Sequence, residues 1–248
     1  MIPEQDSYKI YEQRVIAYVD ILGWKEACKT ESDKLTAATR AIDDTAIRYC
    51  RFNKDKVRNI DNIVMNPIYE ECQFGAFSDN FAVSMPAKSG YRIIDAAAEV
   101  CRKLLHIGFL TRGGITIGKL HHVDNVIFGP ALVDAVQLEK EATYPRLVCS
   151  PELIDHLETS RKVCEVDHVI VDHLGRKIAN LFECVGFLKT GQPLDHRQIY
   201  EIPVIEKIIE DKIQRHTQNR SEKLAEKWRY MRDVLPMMLD AFANKRRE

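Results

Sequence analysis

Residues 14–24 read Arg-Val-Ile-Ala-Tyr-Val-Asp-Ile-Leu-Gly-Trp. The five residues from Val15 to Val19 are apolar or aromatic and rich in β-branched side chains, and the run ends on an acid. That pattern predicts a buried strand over 14–20 with Asp20 at its end. Gly23 follows, and glycine lets the backbone turn where a side chain would not fit. The amides of Leu22, Gly23 and Trp24 then form a candidate concave nest for phosphate oxygens. Asp20 has a second reading, as the cap of the helix that follows.

Two further stretches extend this reading. Residues 68–77 and 81–84 predict two strands joined at Ser78-Asp79-Asn80, within the stretch Phe-Gly-Ala-Phe-Ser-Asp-Asn-Phe at 74–81, because Asp and Asn favour tight turns. Asp79 is then either a turn residue or a functional acid. Residues 111–120, Thr-Arg-Gly-Gly-Ile-Thr-Ile-Gly-Lys-Leu, predict a buried strand weakened by a Gly-Gly pair. Such a pair marks either the close approach of a ligand or another backbone, or a bulge. Pro130–Ala142 predicts a short helix with proline in its first turn.

The rest of the chain is patterned as follows. Apolar spacing of three and four predicts helices over 24–52 and 91–106, the second stopped by Gly108. Residues 53–66 read as a loop, 121–125 as a turn, 146–149 as a strand and 151–157 as a helix. Residues 169–172 and 178–182 flank Leu174-Gly175-Arg176 as a second hairpin. From Ile202 onward two apolar stripes with interleaved Lys and Arg predict helices. There is no repeat, no low-complexity tract and no flexible linker. The expectation is one α+β domain over residues 1–200, with a helical extension over 201–248 packed on the same domain or on a dimer.

Composition bounds the function. The 248 residues carry 36 Lys and Arg against 37 Asp and Glu, and 45% are hydrophobic. This excludes a disordered chain and gives no hint of a nucleic-acid or membrane partner, while leaving open a small, locally charged ligand site. No run approaches the ~18 apolar residues of a membrane span, and the first residues lack a signal pattern. The seven cysteines never form a C-x-x-C pair, so reduced thiols in a cytoplasmic protein are expected. His121-His122 is expected to be a surface pair in a turn.

The order AYVDILG, FSDN on a hairpin, RGGITIG, then GPALV and a helix running into LE and YPR, resembles the class III nucleotide cyclase catalytic domain. The resemblance covers roughly residues 14 to 150. It is similar in detail to the bacterial pyrimidine cyclases of the Pycsar anti-phage system, and LAEKWRYM at 224–231 resembles that branch's C-terminal helices. The resemblance implies a palm-like, ferredoxin-like, antiparallel-rich sheet with covering helices. It implies two divalent ions, Mn²⁺ or Mg²⁺, held by Asp20, Asp79 and the Ile21 carbonyl. It also implies a homodimer with active sites at the interface and a separate effector protein switched on by the product.

Under this resemblance Arg112, Lys119 and Arg146 are the candidate cations for a nucleoside triphosphate, with Arg112 the first candidate to stabilise the transition state. Purine-specific members carry an Asn and, four residues later, an Arg on the helix after the RGGI-like strand. Here Asp134 and Leu138 stand at that spacing. The departure weakens adenylate or guanylate cyclase activity and fits a pyrimidine substrate, UTP ahead of CTP. A purine cyclase and an inactive nucleotide-binding regulator are the alternatives.

Overall fold

A computed structural model describes residues 10–49, 72–159, 168–182 and 196–244. The strands are β1 (Glu12–Leu22), β2 (Gln73–Phe77), β3 (Asn80–Pro86), β4 (Leu110–Val123), β5 (Val126–Phe128), β6 (Leu147–Cys149), β7 (Val169–Val171) and β8 (Lys177–Ala179). The helices are α1 (Trp24–Thr30), α2 (Ser32–Tyr49), α3 (Tyr91–Ile107), α4 (Pro130–Glu141), α5 (Pro151–Thr159), α6 (His196–Gln218) and α7 (Glu222–Asn244). The fold is α+β, as expected. One sheet runs in the order β2-β3-β1-β4-β6-β8-β7, with β5 paired to β4. The β4–β6 pair is parallel and the others are antiparallel.

The two faces of the sheet differ because side chains alternate along a strand. On β1, Val15, Ala17, Val19 and Ile21 enter the main core with Ile93, Ile94, Leu104 and Leu105 of α3. Ile205 and Ile209 of α6, and Trp228, Met231 and Leu235 of α7, are buried in that same core. The other face of β1 carries Arg14, Ile16, Tyr18 and Asp20. There α4 covers the middle, where Ile16, Ala82, Leu120, Ala131 and Ala135 form a second small cluster.

The Gly-Gly pair of β4 explains how α4 lies so close. A Cβ at Gly114 would stand 2.4 Å from the Ala135 carbonyl oxygen and 2.5 Å from Leu138 Cβ. A Cβ at Gly113 would stand 2.4 Å from the Tyr18 carbonyl oxygen. Of the two sequence readings, close approach of another backbone is the one observed, and the backbones are those of α4 and β1.

Several boundaries move. The helix expected over 24–52 is two helices, broken at Glu31 (φ −133°, ψ 61°). The strand expected to stop at Leu120 continues to Val123 and returns through β5, which the sequence pattern did not suggest. His121-His122 therefore belongs to a strand, and alternation buries His122 to 3% exposure. This corrects the expected surface pair. At the tight hairpin the residue with positive φ is Ser78 (φ 56°). Residues 53–66 and 68–71 fall outside the described residues. Cys28, Cys101 and Cys149 are free, but Cys72 is disulfide-bonded, which corrects the expectation of reduced thiols throughout. None of the described helices is long and apolar enough to cross a membrane.

Gly114→Ala is expected to destabilise the protein by about 1–3 kcal/mol through overpacking against α4. Chemical denaturation compared with wild type measures this. An Ala at 114 with an unchanged midpoint would show that α4 gives way without cost.

Candidate active site

Asp20 sits near the C-terminal end of β1, opposite Asn80 of β3 and Arg112 of β4. The hairpin turn between β2 and β3 comes back to the same point. The Ile21 amide donates to the Asp79 carbonyl oxygen at 2.7 Å. Two acids 59 residues apart in sequence thus meet through main-chain bonds of adjacent strands. Asp20 does not cap the following helix: the N-cap of α1 is Gly23, in the left-handed region at φ 86°, without a side-chain cap bond.

Asp79 is oriented by a relay. The Tyr18 hydroxyl donates to Asn80 Oδ1 at 2.8 Å, and Asn80 Nδ2 donates to Asp79 Oδ1 at 3.0 Å. Arg112 lies between two acids. Its Nε donates to Glu139 Oε1 at 2.6 Å, and its Nη2 reaches Asp20 Oδ2 at 3.4 Å. Nη2 also pairs with Glu139, whose side chain is 8% exposed. Glu139 arrives from the last turn of α4, on the helix that Gly114 admits.

The electrostatics show an excess of negative charge. Burial raises the Asp20 carboxyl above its ordinary value; Glu139 and Asp79 add to this, while Arg112 and Lys227 oppose it. Tyr18 is raised by burial and by Glu139, Asp20 and Asp79. Lys227, from α7, is lowered by burial and by Arg112, and Asp20 partly restores it. The cluster therefore sets Asp20, Asp79 and Glu139 against Arg112 and Lys227, three carboxylates against two cations. A divalent cation at Asp20 and Asp79 would relieve that excess.

The donor set fits such an ion. Among the described residues no three His, Cys, Asp or Glu side chains gather as a protein-only metal cage. Magnesium seldom needs one: it binds through one or two carboxylates together with substrate phosphates and water. Asp20, Asp79 and a strand-end carbonyl such as that of Ile21 are hard oxygen donors of this kind.

The other expected residues are placed as follows. Leu22 remains in the β1–β4 ladder opposite Leu110, and Trp24 packs its ring on Phe109 at 5.7 Å between centroids. The leading amides of α1 at Gly23 and Trp24 have no intrahelical acceptor, as at every helix start. Lys119 is seven residues from Arg112 along β4, about 23 Å at strand rise, and opposite Gln13. Arg146 is buried, with Nη1 donating to Asp172 Oδ2 at 2.6 Å. The Tyr230 hydroxyl donates to the same oxygen at 2.7 Å. Burial acts to raise Asp172, but hydrogen bonds from Tyr230, the Arg176 amide and Arg146 hold it below the ordinary range. Neither Lys119 nor Arg146 figures among the charges that act on Asp20.

Sequence reasoning assigned no role to Glu139, Lys227, Tyr18 or Asn80. Glu139 had a usable signal, an acid at a buried position of an amphipathic helix. Lys227 stood in a helix of alternating apolar and basic residues, with nothing to single it out.

No family model matches the sequence, and no curated protein matches it. Solved structures similar to the chain include the adenylyl cyclase CyaB from P. aeruginosa, at 13% identity and TM-score 0.46, over 68% of this chain and 92% of that one. Another is the monomeric guanylyl cyclase domain of the RhoGC fusion protein from the aquatic fungus Blastocladiella emersonii, at 10% identity and TM-score 0.41, over 68% and 95%. A class III adenylyl cyclase-like ATP-binding protein from Pseudomonas aeruginosa is similar at 11% identity and TM-score 0.40, over 81% of this chain and 43% of that one.

Two outcomes test this geometry. A carboxyl with a raised pKa favours the folded state below its unfolded pKa, and that contribution is lost as pH rises through the folded value. Asp20→Asn should therefore raise the melting temperature of metal-free protein at neutral pH, with the gain vanishing below about pH 4. A melting temperature lowered by the substitution at pH 7 would contradict the excess of negative charge. Arg146→Met should cost about 3–5 kcal/mol by leaving Asp172 buried without its cation, read by denaturant unfolding.

Proposed function

We propose that the protein is a metal-dependent pyrimidine nucleotide cyclase. In this reading it converts UTP, or CTP, to the 3′,5′-cyclic monophosphate and pyrophosphate. The observation that carries it is the meeting of Asp20 and Asp79 across β1 and the β2–β3 turn, beside the Arg112 guanidinium and with an anionic excess around Asp20. The resemblance of AYVDILG, FSDN and RGGITIG to class III cyclases supports it, as does the absence of the purine-type Asn and Arg spacing at Asp134 and Leu138. The same resemblance supports a second-messenger role in anti-phage defence, with a separate effector protein. It also supports a homodimer with active sites at the interface.

The reaction is intramolecular: the ribose 3′-oxygen forms a bond to the α-phosphorus, and the bond from that phosphorus to the pyrophosphate oxygen breaks. Mg²⁺ or Mn²⁺ held by Asp20, Asp79 and the Ile21 carbonyl would supply an acidified 3′-hydroxyl and neutralise the triphosphate. The chain's own residues position these parts. Tyr18 and Asn80 fix the rotamer of Asp79. Glu139 anchors Arg112 through Nε, so the guanidinium keeps one orientation beside Asp20. Lys227 is half-buried next to the same carboxylate. A buried ammonium close to the site gains strength from the low local dielectric. Arg112 already serves two acids, so Lys227 is the better candidate for charge that develops on the leaving pyrophosphate. The leading amides of α1, after Leu22, Gly23 and Trp24, would receive phosphate oxygens. Lys119, about 23 Å from Arg112 along β4, would reach this triphosphate only from the proposed partner subunit, and Arg146 is already committed to Asp172.

The test is to incubate the full chain with Mn²⁺ and ATP, GTP, CTP and UTP in parallel. A phosphatase-resistant cyclic product is expected from UTP or CTP. Asp20→Asn and Asp79→Asn should abolish turnover, and Lys227→Ala should lower kcat by about 10²-fold. Turnover that survives either aspartate substitution would sink the assignment. A cyclic product from ATP or GTP alone would leave the cyclase and remove the pyrimidine.

A further inference from the structure

Arg112 divides itself unequally between two acids. A guanidinium is a rigid fork that grips one carboxylate best through two N–H bonds. Asp20 is its direct cross-strand neighbour, and opposite charges placed so are ordinary sheet contacts. The fork nevertheless turns away from Asp20. Nε donates to Glu139 Oε1 at 2.6 Å, and Nη2 pairs with the same oxygen. Only Nη2 touches Asp20, at Oδ2 and 3.4 Å, which is long for an N–H···O bond.

Burial has the same bias. The Glu139 side chain is 8% exposed, against 24% for Arg112 and 20% for Asp20. A buried carboxylate stripped of its cation is costly, so the Glu139 end of the bridge is the fixed one. The Asp20 end is longer, single-toothed and more open to solvent, so it is the end that can let go. Asp79 is held differently, by a neutral amide, since Asn80 Nδ2 donates to its Oδ1 at 3.0 Å. A divalent cation shared by the two acids therefore meets a guanidinium at Asp20 and a neutral donor at Asp79. Two cations on one carboxylate oxygen repel each other.

We propose that Arg112 and the divalent cation are alternative partners of Asp20. As the cation binds, the guanidinium gives up Asp20 Oδ2 and stays on Glu139. Arg112 is then a built-in competitor that sets the affinity for metal, and Glu139 is the residue that keeps it beside the site. The exchange frees one Nη2 hydrogen for an anionic substrate, so metal and substrate binding reinforce each other. This inference rests on the cation site of the proposed function and is independent of which nucleotide is used.

Mn²⁺ alone is the probe, added to the full chain without nucleotide and followed by calorimetry and by the paramagnetic resonance signal of the free ion. The double variant Arg112→Met with Glu139→Gln removes the competitor and its anchor together, so the net charge of the cluster is unchanged. If Asp20 is clear of Arg112 about a tenth of the time, the apparent Kd should fall about tenfold in this variant. A circular-dichroism melt checks its fold. A folded variant that binds Mn²⁺ as the wild type does, or more weakly, overturns the exchange and leaves the cation site standing. Mn²⁺ binding by neither protein overturns both. Tightened binding in a chain that makes no cyclic nucleotide supports the exchange and counts against the cyclase. Should the variant fail to fold, ¹⁵N-arginine-labelled wild type decides. Its Arg112 Nε–H resonance should persist and shift saturably with Mg²⁺, and a resonance unmoved at saturation overturns the exchange.

Discussion

The pairing of β1 with β4, from Leu22 opposite Leu110 to Glu12 opposite Leu120, is the constraint on which the rest of the structure depends. It puts Arg112 directly across from Asp20. It also puts Gly113 and Gly114 at a place where neither strand nor helix leaves room for a side chain. Because position 114 is bare, α4 settles onto the sheet, and its last turn delivers Glu139 to Arg112. A substitution at this glycine thus acts on the site through a helix. The glycine pair faces the backbones of β1 and α4 and sets how close the second acid of the Arg112 bridge can come.

The cluster around Asp20 is poorly arranged for stability when taken alone. A half-buried carboxylate beside two others pays desolvation and repulsion that one guanidinium and one ammonium do not fully offset. Structures keep such arrangements where charge is to be met from outside. The buried Arg146–Asp172 pair is the contrast within the same chain. There a tyrosine hydroxyl and two backbone amides complete the carboxylate's hydrogen bonds, and the pair ties β6 and the β7–β8 turn to α7. One arrangement is satisfied internally and the other is not, and that difference separates a structural ion pair from a binding one.

How far this was legible in the sequence follows from the range of each signal. Asp20 and Asp79 stood out because each ends a short apolar run, and strand and hairpin patterns are local. The Gly-Gly pair announced a close approach, but not whether a ligand, a helix or a bulge caused it. Arg146 is basic in both readings, and only the fold shows that Asp172 and Tyr230 engage it. Glu139 and Lys227 depend on how α4 and α7 are rotated about their axes and docked on the sheet. That is long-range packing, to which periodicity within one helix is blind. His122 was misread for a simpler reason. The strand was taken to end at Leu120, and a shift of a few residues in a strand boundary changes whether a side chain is counted as strand or turn, and therefore whether it is buried.

The same alternation connects the two ends of the sheet. On β1, Arg14 and Asp20 differ by an even number of residues, and on β4 so do Arg112 and His122. All four therefore lie on the face that α4 only partly covers. The middle of that face is closed by small side chains, Gly114, Gly118 and Ala82 beneath Ala131 and Ala135, which is what allows so thin a cover. The end beside Asp20 stays polar, with excess carboxylate. The acidic end suits cations, and the apolar middle separates it from the buried Arg14–Ser84–His122 chain at the other end.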